Sequence, residues 1–198
     1  GTHKPEVSGS IPLPATKNMN KISSKKIYGV VICYNSENAI KNLYERIDMD
    51  LFDKIYFFDD NSTDNSYEIA RKFDWEVIKN ENNLGHGGNL KKAVKTAFED
   101  GADFVLEIHA DNQYDPNLIS KAKKFIDQDY ALIIGSRFVN KNPHKEEGMP
   151  FIRFISNKLM SFMTGKLLSI KLTEFHTGFK IFGKSFNENI PFENCSNN

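Results

Sequence analysis

His109, Asp111 and Gln113 stand two residues apart at the end of an apolar run that begins at Asp103. In an extended segment, residues at this spacing project to one side, so the three side chains would converge. An imidazole, a carboxylate and an amide oxygen can together hold a divalent cation. A cation there can hold a diphosphate. Three other clusters could join such a site. Asp59-Asp60-Asn61-Ser62-Thr63-Asp64 offers carboxylates that accept from ribose hydroxyls or a base N–H. The adjacent Asp59 and Asp60 repel, and a cation or donor-rich ligand would ease that. The same residue types also build a turn with a helix cap. Asn83-Leu84-Gly85-His86-Gly87-Gly88 would let a backbone approach a ligand closely, or simply turn tightly. It has neither the Gly-Lys-Ser/Thr ending of a phosphate loop nor the glycine spacing of a dinucleotide fingerprint. Glu174, His176 and Lys180 form a late cluster with acid–base and cationic members.

These clusters need a frame. Ile27 to Cys33 is nearly continuous in apolar residues, the pattern of a strand buried on both faces. Ser36 is placed to cap a helix from about Glu37 to Asp48, with Ile40, Leu43 and Ile47 on one face. Strand Lys54–Asp59, a helix over 64–73 and a short strand over 75–79 follow. Gly85 to Asn89 reads as a turn into a helix whose buried stripe is Leu90, Val94, Ala97 and Phe98. Strand 103–108 leads to Pro116, which opens the next helix. Strand 131–135, a polar loop over 138–150, helix Phe151–Leu168 and strand Phe179–Phe182 complete the pattern. Alternation of this kind predicts an α/β layer fold with a mainly parallel sheet. Ligands of such sheets bind beyond the carboxyl ends of the strands, where Tyr34 to Glu37, Asp59 to Asp64 and His109 to Asp115 lie.

Composition narrows the class. The 198 residues include 26 basic and 26 acidic ones, and this balance argues against a nucleic-acid binder. Two cysteines, Cys33 and Cys195, give no disulfide framework and fit a reducing, cytoplasmic setting. No run of about 18 apolar residues is present to cross a membrane. Residues 1–25 are rich in Pro, Ser, Lys and Asn and read as a flexible tail. Residues 26–198 read as one domain, and the closing Glu-Asn-Cys-Ser-Asn-Asn suggests that the natural domain continues.

Taken together, the motifs resemble inverting family 2 glycosyltransferases of the GT-A fold, most of all the polyprenyl- and dolichyl-phosphate sugar synthases. Val31 to Glu37 resembles the family's Pro-x-Tyr-Asn-Glu segment, and Asp59 to Asp64 resembles Asp-Asp-x-Ser-x-Asp. Asn83 to Gly88 resembles Asn-x-Gly-x-Gly-Gly, Ile134 to Arg137 resembles Val-Gly-Ser-Arg, and His176 to Lys180 resembles Thr/Ser-Gly-Phe-Arg. The resemblance covers about residues 27 to 185. It implies that Tyr34, Glu37, Asp59 and Asp60 hold base and ribose, with Gly85 and Gly88 beside the nucleotide. It implies that Asp111 and Gln113 bind Mn²⁺ or Mg²⁺, and that Lys180 faces the diphosphate. His109 stands where the family usually has Asp, Ile32 where it has Pro, and Lys180 where it has Arg. The His departure leaves three options. His109 is a ligand that favours Mn²⁺, or Asp111 and Gln113 suffice with phosphate oxygens, or metal binding is weak.

The expected reaction is inverting transfer from a nucleotide-diphosphate sugar to a polyprenyl phosphate or a glycan. Asp111 and Lys180 would serve catalysis, with Glu174 or His176 as base for a hydroxyl acceptor. The expected location is the cytoplasm, with peripheral contact at the inner face of the membrane. A silent GT-A domain that binds a nucleotide or glycan is the second reading. A sugar-phosphate nucleotidyltransferase is a weaker third, because Tyr34-Asn35-Ser36-Glu37 is no glycine-rich basic loop.

Overall fold

The computed structural model describes residues 6–10, 25–112, 114–139, 144, 149–170, 172–175 and 177–197. Its centre is β2, Ile27–Cys33, whose alternate residues enter two separate cores. Val31 and Cys33 face one side, and Tyr28, Val30 and Ile32 face the other. This two-sided burial is why the strand lacks polar alternation. β3, Lys54–Asp59, behaves likewise, with Ile55 and Phe57 on one face and Tyr56 and Phe58 on the other. With β1, Glu6–Ser10, β4, Glu76–Lys79, β5, Phe104–His109, β6, Leu132–Ser136, and β7, Lys180–Gly183, they form a seven-stranded sheet in the order β1-β6-β7-β5-β2-β3-β4. β2 to β6 run one way, whereas β7 and β1 run against them. The sheet is therefore mainly parallel, as the alternation predicts.

Helices cover both faces. α1, Glu37–Arg46, α2, Ser66–Ala70, and α4, Ile119–Ile126, bury Ile40, Leu43, Ala70, Ile119, Ala122 and Ile126 on one side. α3, Gly85–Glu99, and α6, Lys184–Asn189, bury Leu90, Val94, Phe98 and Phe186 on the other. Each fully buried aliphatic or aromatic side chain here contributes roughly 1.5–3 kcal/mol relative to exposure.

Four local expectations differ. Residues Glu6–Ser10 do not lie in a tail but form edge strand β1, paired antiparallel with β6. Composition does not register that β6 would otherwise leave a row of backbone groups without partners. Ser36 occupies the N-cap of α1 without capping it; its hydroxyl donates to the Tyr34 carbonyl, 3.2 Å away. The glycines after Asn83 are not a turn before α3, because the helix begins at Gly85. Finally, β5 ends at His109, and Asn112 has φ of +61°. The chain thus leaves the extended path, so strand alternation no longer governs Asp111.

α5 spans Phe151–Leu168, the predicted range, but the sheet does not cover its apolar stripe. Ile152, Ile155, Leu159, Phe162 and Met163 are all exposed, as are Phe151, Met160 and Leu167. Among the described side chains of this helix, only Phe154 and Ser161 are buried. No described helix is long and apolar enough to cross a membrane.

Candidate functional site

At the carboxyl ends of β2, β3 and β5 lies a cleft of about 290 Å³. Tyr34, Asp60, Asn83, Gly85, His86, His109 and Asp111 are among its lining residues. Five residues expected in the site, Tyr34, Asp60, Gly85, His109 and Asp111, are therefore brought together. Tyr34 is half exposed. Asp60 is buried; its Oδ1 accepts from the Leu84 amide at 2.8 Å and from Asn80 Nδ2 at 2.9 Å. Asn80 Nδ2 also donates to Asn89 Oδ1 at 2.9 Å, and Asn89 Nδ2 donates to the Phe58 carbonyl at 3.1 Å. Lys92 Nζ completes the chain on Asn80 Oδ1 at 2.8 Å. This network holds the glycine segment against the end of β3. Sequence reasoning overlooked Asn80 and Asn89, although Asn89 is a polar residue at the edge of an apolar helical stripe.

Other expected residues are committed elsewhere. Glu37 Oε2 accepts from the Asn65 amide at 2.9 Å and from Asn65 Nδ2 at 3.1 Å. In return Asp64 accepts from the Glu37 amide at 3.1 Å and from the Ser66 amide at 2.9 Å. Burial alone would raise the Asp64 carboxyl, but these bonds and that of Ser66 hold it below its ordinary value. Asn35 Oδ1 accepts from the Thr63 amide at 2.9 Å, and the Asn35 amide donates to Ser62 Oγ at 3.0 Å. The segments after β2 and β3 are thus laced to each other, and Glu37 does not line the cleft. Asp59 is fully buried, its Oδ2 accepts from the Ser62 amide at 3.0 Å, and it is not among the residues lining the cleft. Gly88 is close-packed, since a Cβ there would meet Leu84 Cβ at 2.9 Å.

The late cluster departs furthest from expectation. Glu174 is buried, and its Oε2 accepts from the Arg137 amide at 2.8 Å. Its Oε1 accepts from Arg137 Nε at 3.0 Å and from Arg137 Nη2. Both oxygens are engaged by Arg137, Oε2 by its backbone amide and Oε1 by its guanidinium, so Glu174 is not placed as a general base. The sequence hides this because Arg137 belongs to another motif, 37 residues earlier. Lys180 Nζ lies 3.1 Å from Glu107 Oε2 and does not line the cleft. Gly178 is required by contact: a Cβ there would fall 2.4 Å from the Tyr114 ring. Gln113 and His176 lie outside the described residues.

Glu107 was overlooked altogether. It is buried on β5, two residues before His109, so strand alternation puts both on one face. The pair could have been found by extending the alternating set toward the N-terminus, but Glu107 sits inside an apolar run. Its Oε1 lies 3.0 Å from His109 Nε2 and 3.4 Å from His86 Nε2. Burial would push the carboxyl up; the two imidazoles and the Lys180 ammonium outweigh it and hold it well below the usual carboxylate range.

The glycosyl transferase family 2 profile matches residues 29–190. The chain belongs to that family. It is a glycosyltransferase with the α/β architecture of the GT-A fold, and every element that lines the cleft falls within the matched span. This glycosyltransferase is 31% identical over 182 residues to the UDP-N-acetylglucosamine–dolichyl-phosphate N-acetylglucosaminyltransferase of Methanococcus voltae, covering 83% of this chain and 72% of that protein. It is 29% identical over 157 residues to the dolichol-phosphate mannosyltransferase of Pyrococcus furiosus, covering 75% of this chain but only 43% of the relative. Glucosyl-3-phosphoglycerate synthase from Mycobacterium tuberculosis, solved with Mn²⁺ and UDP, shares the fold with a TM-score of 0.57. That likeness spans 87% of this chain and 64% of the synthase at 15% identity.

Proposed function

We propose that this glycosyltransferase moves a sugar from a nucleoside-diphosphate sugar to a polyprenyl phosphate, with inversion at the anomeric carbon. The observation that carries the reading is the cleft itself. It joins a half-exposed aromatic ring, Tyr34, to a carboxylate, Asp60, and to the polar pair His109 and Asp111. Tyr34 would stack on the base, and the Asp60 side of the cleft would receive the ribose. The residues present allow a cation: Asp111, a carboxylate, lines the cleft at the end of β5. Asp111 would hold the cation, with Gln113 as the further ligand that the motif supplies. A bound divalent ion would offset negative charge on the leaving diphosphate.

In the transfer, an acceptor oxygen forms a bond to the anomeric carbon as the bond to the diphosphate oxygen breaks. The electron pair leaves with the diphosphate. A hydroxyl acceptor would need a base, and Glu174 is locked onto Arg137. A phosphate acceptor is already anionic and needs only positioning, so it calls on neither Glu174 nor His176, the other candidate base. The curated relatives named for dolichyl-phosphate acceptors support the same choice.

Donor binding is tested by melting. At a free concentration of 100 times its Kd, UDP should stabilise the fold by about 2.7 kcal/mol, raising Tm by about 5–11 °C. The gain should be larger with Mn²⁺ present. No shift with any common nucleoside diphosphate at millimolar concentration would remove the donor-site reading.

α5 supports the lipid acceptor. Its exposed apolar residues are accompanied by Arg153, Lys158 and Lys166, all exposed, and the helix carries no Asp or Glu. A basic, apolar helix of this kind can rest at an anionic membrane surface. Binding to anionic liposomes at low salt should weaken with added salt and with Lys158→Glu plus Lys166→Glu. Negligible partitioning of both proteins would instead favour a water-soluble glycan acceptor.

A further inference from the structure

Glu107 has three partners within reach and uses only one of them fully. Oε2 is held by Lys180 at 3.1 Å. Oε1 is 3.0 Å from His109 Nε2, yet neither atom has a hydrogen-bond partner of acceptable geometry among the described residues. Both are buried. A buried carboxylate oxygen left this way is costly. Donor atoms grouped around a cation stand in this relation: each directs a lone pair at the ion and none at its neighbour.

Two of the three spacings agree with that arrangement. Around an ion with bonds of about 2.0–2.2 Å, ligands at tetrahedral or octahedral angles stand roughly 2.8–3.6 Å apart. Oε1 lies 3.0 Å from His109 Nε2 and 3.4 Å from His86 Nε2, and all three atoms fall within 4.8 Å of one another. The His86 and His109 rings are stacked at 5.3 Å between centroids. His109 and His86 both line the cleft, so an ion there would keep open positions toward it.

We infer that His86, Glu107 and His109 form a protein-only site for a borderline transition-metal ion, filled before any nucleotide arrives. Two imidazoles and one carboxylate suit Zn²⁺, Co²⁺ or Fe²⁺ and discriminate against Mg²⁺, which prefers oxygen. Lys180 already balances Glu107, so a bound ion would give the cleft wall net positive charge, suited to an anionic ligand. The site does not depend on Asp111 and differs from a cation that enters with a nucleotide.

Cobalt is a direct probe. The metal-stripped full chain, without nucleotide, is titrated with Co²⁺ and followed by visible absorption and calorimetry. One equivalent should bind, Zn²⁺ should displace it, and millimolar Mg²⁺ should not. His86→Ala changes a half-exposed residue and should weaken Co²⁺ binding at least tenfold while the far-UV spectrum is kept. Glu107→Gln should do the same, whereas Asp111→Ala should leave Co²⁺ binding within about threefold. No Co²⁺ binding without nucleotide would overturn the inference, as would loss in Asp111→Ala with retention in His86→Ala. The UDP melting shift separates this from the donor reading: a shift in a protein that binds no Co²⁺ keeps the donor site and rejects the metal site.

Discussion

Asp111→Ala is expected to lower turnover by at least 10²–10³-fold while leaving the fold intact. Asp111 lies in the turn after β5 and lines the cleft, where its side chain is exposed and contributes little to packing. Its carboxylate would serve the charge that builds on a leaving diphosphate, and a preorganised contact of that kind is typically worth this much. The measurement pairs a sugar-transfer assay on a polyprenyl phosphate with a melting curve. A turnover equal to the parent's would remove Asp111 from the machinery. A large fall in Tm would instead assign it to the architecture.

Glu174→Ala should destabilise the protein more than any other single change considered. The carboxylate is buried and accepts from the Arg137 amide and from two nitrogens of its guanidinium. Removing it breaks a buried ion pair and takes the carboxylate from Arg137, itself buried, at a cost of about 3–5 kcal/mol. For a chain of this size Tm should fall by about 6–20 °C. Arg137→Met with Glu174→Leu should recover most of the loss, because an apolar pair leaves no charge unpaired. A melting point unchanged in Glu174→Ala would mean that the ion pair is absent in solution. The pair also joins the end of β6 to the segment before β7, so the double variant's turnover reports how far that junction positions the cleft.

The sheet was legible in the sequence because burial on two faces writes itself into composition. β2 and β3 agree with expectation to the residue, and α5 does too, since long uninterrupted runs fix a period without help from neighbours. The family was legible for a related reason: its motifs follow strand ends, and strand ends are what the apolar runs locate. Short-range geometry was also readable where one element contains it, as with Pro116 opening the helical segment after β5.

What required the tertiary structure is which polar residue meets which. Ser36 and Glu37 look like a cap and a ligand, but partners 27 to 30 residues away make them the lacing between two loops. Glu174 looks like a base until Arg137 closes on it from a different motif. Glu107 looks like an accident in an apolar strand until α3 brings His86, and β7 brings Lys180, to its carboxylate. The stripe on α5 looks like core packing, yet no element of the described fold lies over it. A side chain's type states what it can donate, accept or ligate. Whether it does so for a ligand or for the protein depends on contacts distant in sequence, and those are set only when the sheet order brings the strand ends together.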